Sequence, residues 1–269
     1  MKPVLTALTI AGTDPSGGAG VPVDLQVFRD FGVHGLSAIT AVVWQNTQGV
    51  RGYRALEAGV LKAQLEAIGE DLPVGGVKIG MVPTEALLEE IAAFLGAFDD
   101  GADADGADAD GMPVVFDPVM AEGSGVKSLA DEGASRWMPG LKRSVGLITP
   151  NADEARRLAG DGPETPVELV EELLAQGWRR VLLKGGHLER QGDEVVDWYG
   201  DGEGVIELPG YPAVPVDVRG TGCQLSSAIV ASRVGGASWV GAVEEARGYL
   251  HEKLRGARRV GEGRPIVVR

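Results

Sequence analysis

Arg219-Gly220-Thr221-Gly222-Cys223 stands directly ahead of a run of small and apolar residues, QLSSAIVAS. Glycines at a helix start let backbone N–H groups converge on an anion, and the helix dipole favours negative charge there. A thiol at that position is expected to have its pKa lowered, which suits Cys223 as a base or nucleophile. The same residues also read as a Gly-rich turn holding a structural cysteine. Lys184 follows the apolar run VLL and precedes Gly185 and Gly186. A cation at a strand end beside flexible backbone suits a phosphate, although an ordinary solvated lysine would read the same way. Asn151 and Glu154 lie at i and i+3 behind Pro150, so they share one side of a helix start. They suit a hydrated Mg²⁺, which takes few protein ligands, and equally an N-cap with its N3 partner. Asp117, before Pro118, reads as a turn former or as a metal-site carboxylate.

Three more polar residues are candidates. Asp14 opens DPSG, a turn signature. Asp24 is a charge inside the apolar run of a helix. Gln45 follows an apolar strand, and its amide offers a donor and an acceptor to the edge of a planar heterocycle with ring nitrogens and an amino group.

Other chemistries lack their residues. The chain has no GxxxxGK[ST], no GxGxxG and no HExxH, and His34, His187 and His251 lie far apart, which disfavours zinc. With 25 Lys+Arg and 39 Asp+Glu the net charge is −14, the wrong sign for a nucleic acid or an anionic membrane surface. Residues 99–110, DDGADADGADAD, carry six Asp and no large apolar side chain. They are expected to form an acidic surface loop, extending to 112. One cysteine cannot form an internal disulfide, and no apolar stretch reaches the roughly 18 residues that span a bilayer. The first residues have too short an apolar run for a secretory signal, so a cytoplasmic location is expected.

Alternating strands and helices must position these groups. Val4–Ala11, Ser37–Trp44, Val74–Ile79, Pro113–Phe116, Val145–Thr149 and Arg180–Leu183 are short apolar runs of the buried-strand type. Val21, Leu25, Phe28 and Phe31 have helical spacing, as do residues within Glu57–Ile68 and Thr84–Leu95, with Thr84 as N-cap. Thr165-Pro166-Val167-Glu168 is a capping box that predicts a helix to Gln176. Val195–Tyr199 and Val205–Leu208 predict a hairpin or edge strands, and Cys223–Ser232 and Ala242–Leu254 predict helices. This order implies one domain, 1–269, built on a mostly parallel sheet with helices on both faces. Ligands of such sheets lie beyond the carboxyl ends of the strands. Those ends carry GTDPSGGAG, QNT, KIGM, FDPVM, TPNADE, KGGH and RGTGC.

ALTIAGTDPSGGAG, the following Asp24-Leu25 and SAITAVVWQNTQGV together resemble the hydroxymethylpyrimidine/phosphomethylpyrimidine kinases of thiamin biosynthesis, in the ribokinase-like superfamily. KIGM (78–81), DPVM (117–120), ITPNADEA (148–155), LLKGGHL (182–188) and GTGCQLSSAI (220–229) follow in that family's order. VGEGRPI (260–266) is similar to its C-terminal Gly-rich segment, so the resemblance covers essentially the whole chain.

The resemblance implies a ribokinase-like three-layer α/β/α sandwich and transfer of the ATP γ-phosphoryl group to a pyrimidine, at its hydroxymethyl group and then at the monophosphate. By motif, Gly220, Thr221, Gly222 and Cys223 would form an anion hole, with Cys223 where most ribokinase-like enzymes have an Asp base. Lys184 would contact the transferring phosphate, and Asn151 and Glu154 would organise Mg²⁺, with Asp117 nearby. Gly12, Asp24, Gln45, Met81 and Val119 would line the pyrimidine pocket. A homodimer is the usual assembly in the family. Asp217-Val218-Arg219 departs from the family's Asn-Thr-His, Pro22-Val23 from an Ala before Asp24, and Glu122-Gly123 from a Lys before Ser-Gly. Arg219 is then a candidate phosphate contact that replaces missing positive charge. Two rival readings are a pyridoxine/pyridoxal kinase, against which QNT and KIGM speak, and a non-catalytic vitamin-binding module.

Overall fold

The computed structural model describes residues 3–98, 111–119, 138–187 and 193–268. The acidic run 99–110, Met120 and the departure at Glu122-Gly123 lie outside them.

The elements run β1 (Thr6–Gly12), α1 (Gly20–Asp30), β2 (His34–Asn46), β3 (Gly49–Ala55), α2 (Ala58–Asp71), β4 (Val77–Ile79), α3 (Glu85–Gly96), β5 (Val114–Phe116), α4 (Met138–Ser144) and β6 (Leu147–Ile148). Then follow α5 (Ala152–Ala159), α6 (Pro166–Ala175), β7 (Val181–Leu183), β8 (Glu194–Val195), β9 (Trp198–Asp201), β10 (Gly204–Glu207), β11 (Tyr211–Pro212), α7 (Thr221–Val234) and α8 (Trp239–Arg255).

Nine strands form one sheet in the order β10-β9-β7-β6-β5-β4-β1-β2-β3. The six central strands, β7 to β2, are parallel. Antiparallel β3 closes one edge and the β9–β10 hairpin the other, while β8 and β11 pair separately. Neighbouring residues of one strand feed opposite cores. Ala7, Val115, Leu147 and Leu182 pack with α1, α7 and α8, whereas Leu8, Phe116, Ile148 and Leu183 pack with α2, α3, α5 and α6. Burial on both faces is why these strands read as continuous apolar runs rather than as alternation.

Two caps appear as the spacing predicts. Thr84 accepts from Leu87 N, and Thr165 and Glu168 form a reciprocal capping box. β2 runs two residues past Trp44, so Gln45 and Asn46 are strand residues rather than loop. Their partner β3, GVRGYRA, was not expected, because two glycines and two arginines on a largely solvent-facing edge leave no apolar run to recognise. Val195 belongs to β8 and only Trp198–Asp201 pairs with β10, so the expected Val195–Tyr199 strand is divided in two. α7 starts at Thr221, two residues early, and α8 at Trp239, where Ser238 accepts from Gly241 N.

Parallel strands put their carboxyl ends on one edge. Gly12, Gln45, Met81, Asp117, Asn151 and Lys184 all lie at or just beyond such ends.

Candidate active site

β5, β6 and β7 deliver one cluster. Lys184 leaves β7, where its backbone bridges Asn151 and its N–H donates to Pro150 O at 2.9 Å. Its Nζ donates to Asp117 Oδ1 at 2.8 Å and lies 3.6 Å from Glu154 Oε2, with only 15% of the side chain exposed. Burial pulls the ammonium's pKa down, but Asp117 and Glu154 more than offset this, and the net shift is upward. Thr149 Oγ1 also donates to Asp117 Oδ1, at 3.2 Å. Asn151 and Glu154 form the capping box of α5, with N–H donations at 2.7 and 2.9 Å. The expected cap is present, and its glutamate also faces Lys184.

Helix α7 points its N-terminus at the same place. Its N-cap, Gly220, has φ 77°, and a Cβ there would fall on Gly18 O, so the left-handed turn and the close approach both demand glycine. Among the described residues no side chain caps this end, and its first turn carries no acid. A Cβ on Gly222 would stand 3.2 Å from Asp117 Oδ2 and 3.3 Å from Lys184 Nζ. The gap that glycine leaves is lined by a helix N-terminus, an ammonium and a carboxylate, which fits the terminal phosphates of a nucleotide.

Asp117, Glu154 and Asn151 are hard oxygen donors, which fits a Mg²⁺ that keeps most of its waters. Among the described residues no group of three or more His, Cys, Asp and Glu could cage a metal.

Cys223, partly buried, lies in the first turn of α7 and packs against the core on the α1 side. The expectation of a lowered thiol pKa is overturned. Burial pushes the thiol up, and Asp24 and Asp117 add to the rise, while Lys78 and the N–H of Gly20 oppose it without cancelling it.

Beside this cluster the pocket residues divide. A Cβ on Gly12 would meet Val43 Cγ2 at 3.3 Å and Met81 Sδ at 3.4 Å, so Gly12 and Met81 are neighbours. Val119, 37% exposed, follows Asp117 by two residues and donates its N–H to Asp117 O at 2.7 Å. Gln45 accepts a hydrogen bond through Oε1 from the Arg219 guanidinium. Arg219, named above as a candidate phosphate contact, is 6% exposed, and its Nε lies 3.7 Å from Asp14 Oδ2. Asp14 Oδ1 meanwhile accepts from Ser16 N at 2.8 Å and Ser16 Oγ at 2.7 Å, so the expected turn is present.

Asp24 lies deeper than a residue lining an open pocket. It is fully buried, and its carboxylate accepts from Thr9 Oγ1 at 2.6 Å, Lys78 Nζ at 2.8 Å and Ser227 Oγ at 2.8 Å. Sequence reasoning passed over Lys78. A lysine at the middle of the apolar strand Val77–Ile79 needs a buried partner, and Asp24, the lone charge on an apolar helix face, was the matching anomaly. Asp197 was missed too. Its Oδ1 accepts from Gly185 N at 2.8 Å and its Oδ2 from Arg247 Nε at 2.6 Å, which ties the Lys184-Gly185 turn to α8.

Known proteins resemble this chain. The profile of the family described as phosphomethylpyrimidine kinase matches residues 14–267. A hydroxymethylpyrimidine/phosphomethylpyrimidine kinase of Rhizobium meliloti (strain 1021) is 38% identical over 268 residues, covering 97% of this chain and 95% of the relative. The crystal structure of phosphomethylpyrimidine kinase from Clostridium difficile 630 is 32% identical with a TM-score of 0.73, covering 92% of this chain and 98% of its own. An ADP complex of Bacillus subtilis pyridoxal kinase is 27% identical with a TM-score of 0.84, covering 98% and 97%. With its profile match spanning nearly the whole length and a relative 38% identical over 97% of it, the chain belongs to the phosphomethylpyrimidine kinase family.

Proposed function

We propose that this chain transfers the γ-phosphoryl group of ATP to the hydroxymethyl oxygen of 4-amino-5-hydroxymethyl-2-methylpyrimidine, and then a second phosphoryl group to the monophosphate. The observation that carries the reading is the convergence of Lys184, Asp117 and the Gly222 gap at the uncapped start of α7, one residue before Cys223. Phosphoryl transfer asks mainly for positioning and charge neutralisation. Lys184 and the N–H groups of Gly222 and Cys223 hold the charge of the transferring group. Cys223, as its thiolate, takes the proton as the substrate oxygen bonds to phosphorus and the bond to the ADP oxygen breaks. Asn151 and Glu154, with Asp117 nearby, would hold Mg²⁺, and the ion would supply further charge neutralisation when bound. Gly12, Met81, Val119 and Gln45 enclose the pyrimidine, while Asp24 supports that wall from beneath through Lys78, Thr9 and Ser227.

The test is incubation with MgATP and the hydroxymethylpyrimidine, followed by product mass. Two added phosphates are expected. One would remove the second step, and none would remove the reading. A Cys223→Ala variant with full turnover would defeat the base assignment. The likeness to pyridoxal kinase structures, at a TM-score of 0.84, favours a second reading as a pyridoxal kinase, which the same assay with pyridoxal decides.

The proposed assembly is a homodimer, and light scattering at the mass of two chains checks it. The proposed location is the cytoplasm. No described helix is long and apolar enough to cross a membrane.

A further inference from the structure

Gln45 sits at the end of β2 with its carbonyl already engaged. Its Oε1 accepts from a terminal nitrogen of Arg219, and Arg219 is itself held in place. The backbone N–H of Arg219 donates to Pro265 O at 2.9 Å, its Nε faces Asp14 Oδ2 at 3.7 Å, and 94% of its surface is covered, the complement of its 6% exposure. Asp14 is held in turn by Ser16. The chain Ser16–Asp14–Arg219–Gln45 therefore ends on one atom of a planar amide. An amide carries its oxygen and its NH₂ on opposite branches, so fixing Oε1 aims Nε2 the other way. Among the described residues Nε2 donates to no protein group, and Gln45 is only half-buried.

We propose that Arg219 is a positioning residue that fixes the Gln45 amide with its NH₂ toward the ligand, making the pocket selective for a heterocycle whose ring nitrogen accepts a hydrogen bond. The inference rests on the reading that Gln45 faces the pyrimidine. An aminopyrimidine offers an unprotonated ring nitrogen to the NH₂. Its 4-oxo analogue carries a proton on the nitrogen beside the carbonyl, so two donors would meet and neither would be satisfied. A freely turning glutamine could present Oε1 instead and accept that proton. The guanidinium removes this option, because the flip would place the amide's NH₂ against the Arg219 N–H groups.

The test is equilibrium binding by calorimetry, without nucleotide, of the 4-amino-5-hydroxymethyl pyrimidine and its 4-oxo analogue. The native chain is expected to prefer the amino form by about a hundredfold, the scale set by one buried donor left without an acceptor. Arg219→Ala is expected to cut that preference by about tenfold or more, by weakening the amino form and strengthening the oxo form. The double variant Asp14→Asn/Arg219→Met, which leaves no unpaired buried carboxylate, is expected to do the same and decides the matter where the single variant does not fold. In turnover, the variants should raise KM for the amino substrate more than they lower kcat. A native chain without the preference, or variants that weaken both ligands equally, would overturn the proposal. Intact discrimination in binding without any phosphorylation would leave it standing and overturn the proposed activity instead.

Discussion

A thiol at a helix N-terminus is pulled two ways, since the dipole favours the thiolate and the loss of water favours the thiol. At Cys223 the loss of water wins, even with Lys78 and the Gly20 N–H opposing it. The sign matters for catalysis. A proton acceptor works as the thiolate, so a raised pKa leaves little of the active form near neutral pH. With Cys223 as base, kcat/KM measured from about pH 6 to about pH 10 is expected to climb without levelling off below the ordinary thiol value of 9.0. Cys223→Ala should flatten that slope and cost about 10²–10⁴-fold in kcat; a profile already level at neutral pH would point to another acceptor. Gly222 separates activity from stability. Alanine there would set a methyl 3.2 Å from Asp117 Oδ2 and 3.3 Å from Lys184 Nζ, filling the gap assigned to phosphate. Alanine favours the helical backbone by up to about 1 kcal/mol over glycine, and these two tight contacts oppose that gain, so Gly222→Ala should shift the unfolding midpoint little while kcat falls by about 10²-fold or more. The types and order of these residues were legible along the chain. The environment of the sulfur was not, because it is set by Asp24 and Lys78, which are distant in sequence from Cys223.

Elements decide where those residues point. The start of α7 depends on Gly220, whose left-handed φ and approach to Gly18 O bring the loop after β1 against the loop before α7. Gly220→Ala is expected to destabilise the protein by about 1–2 kcal/mol from the backbone conformation alone, with the contact adding more. Denaturant unfolding would show it, in contrast to the small change expected at Gly222 two residues on. Helix ends were legible for a local reason. The capping boxes at Thr165/Glu168 and Asn151/Glu154 are four-residue patterns whose partners are their own neighbours. The partners of the C-terminal segment are not local. Gly263 N donates to Thr47 Oγ1 at 3.1 Å, Arg264 N to Thr47 O at 2.8 Å and Arg219 N to Pro265 O at 2.9 Å, so the last residues fasten two loops of the site. No period or turn signature in the sequence announces such pairings.

At the scale of the molecule, a net charge of −14 opposes the approach of ATP, and the candidate site sets Lys184 and the start of α7 against it. Lys184 and Lys78 both have pKa values raised by carboxylates despite their burial, so both keep their charge. The Asp24–Lys78 pair is completely buried and lies where α1, β1, β4 and α7 meet, with Ser227 reaching Asp24 across 203 residues of sequence. Its two halves are not equally dependent on each other. Without Lys78 the carboxylate keeps the hydroxyls of Thr9 and Ser227, whereas Asp24 is the side chain that the Lys78 ammonium bonds. Breaking a buried pair by removing one partner costs about 3–5 kcal/mol. Asp24→Asn is therefore expected at the upper end of that range, because it strands a cation, and Lys78→Met at the lower end. The double variant should lose less than the sum of the two by at least about 1 kcal/mol, since no lone charge remains. Chemical denaturation of the four proteins measures this cycle, and additive losses would mean that the two charges contribute independently rather than as a pair.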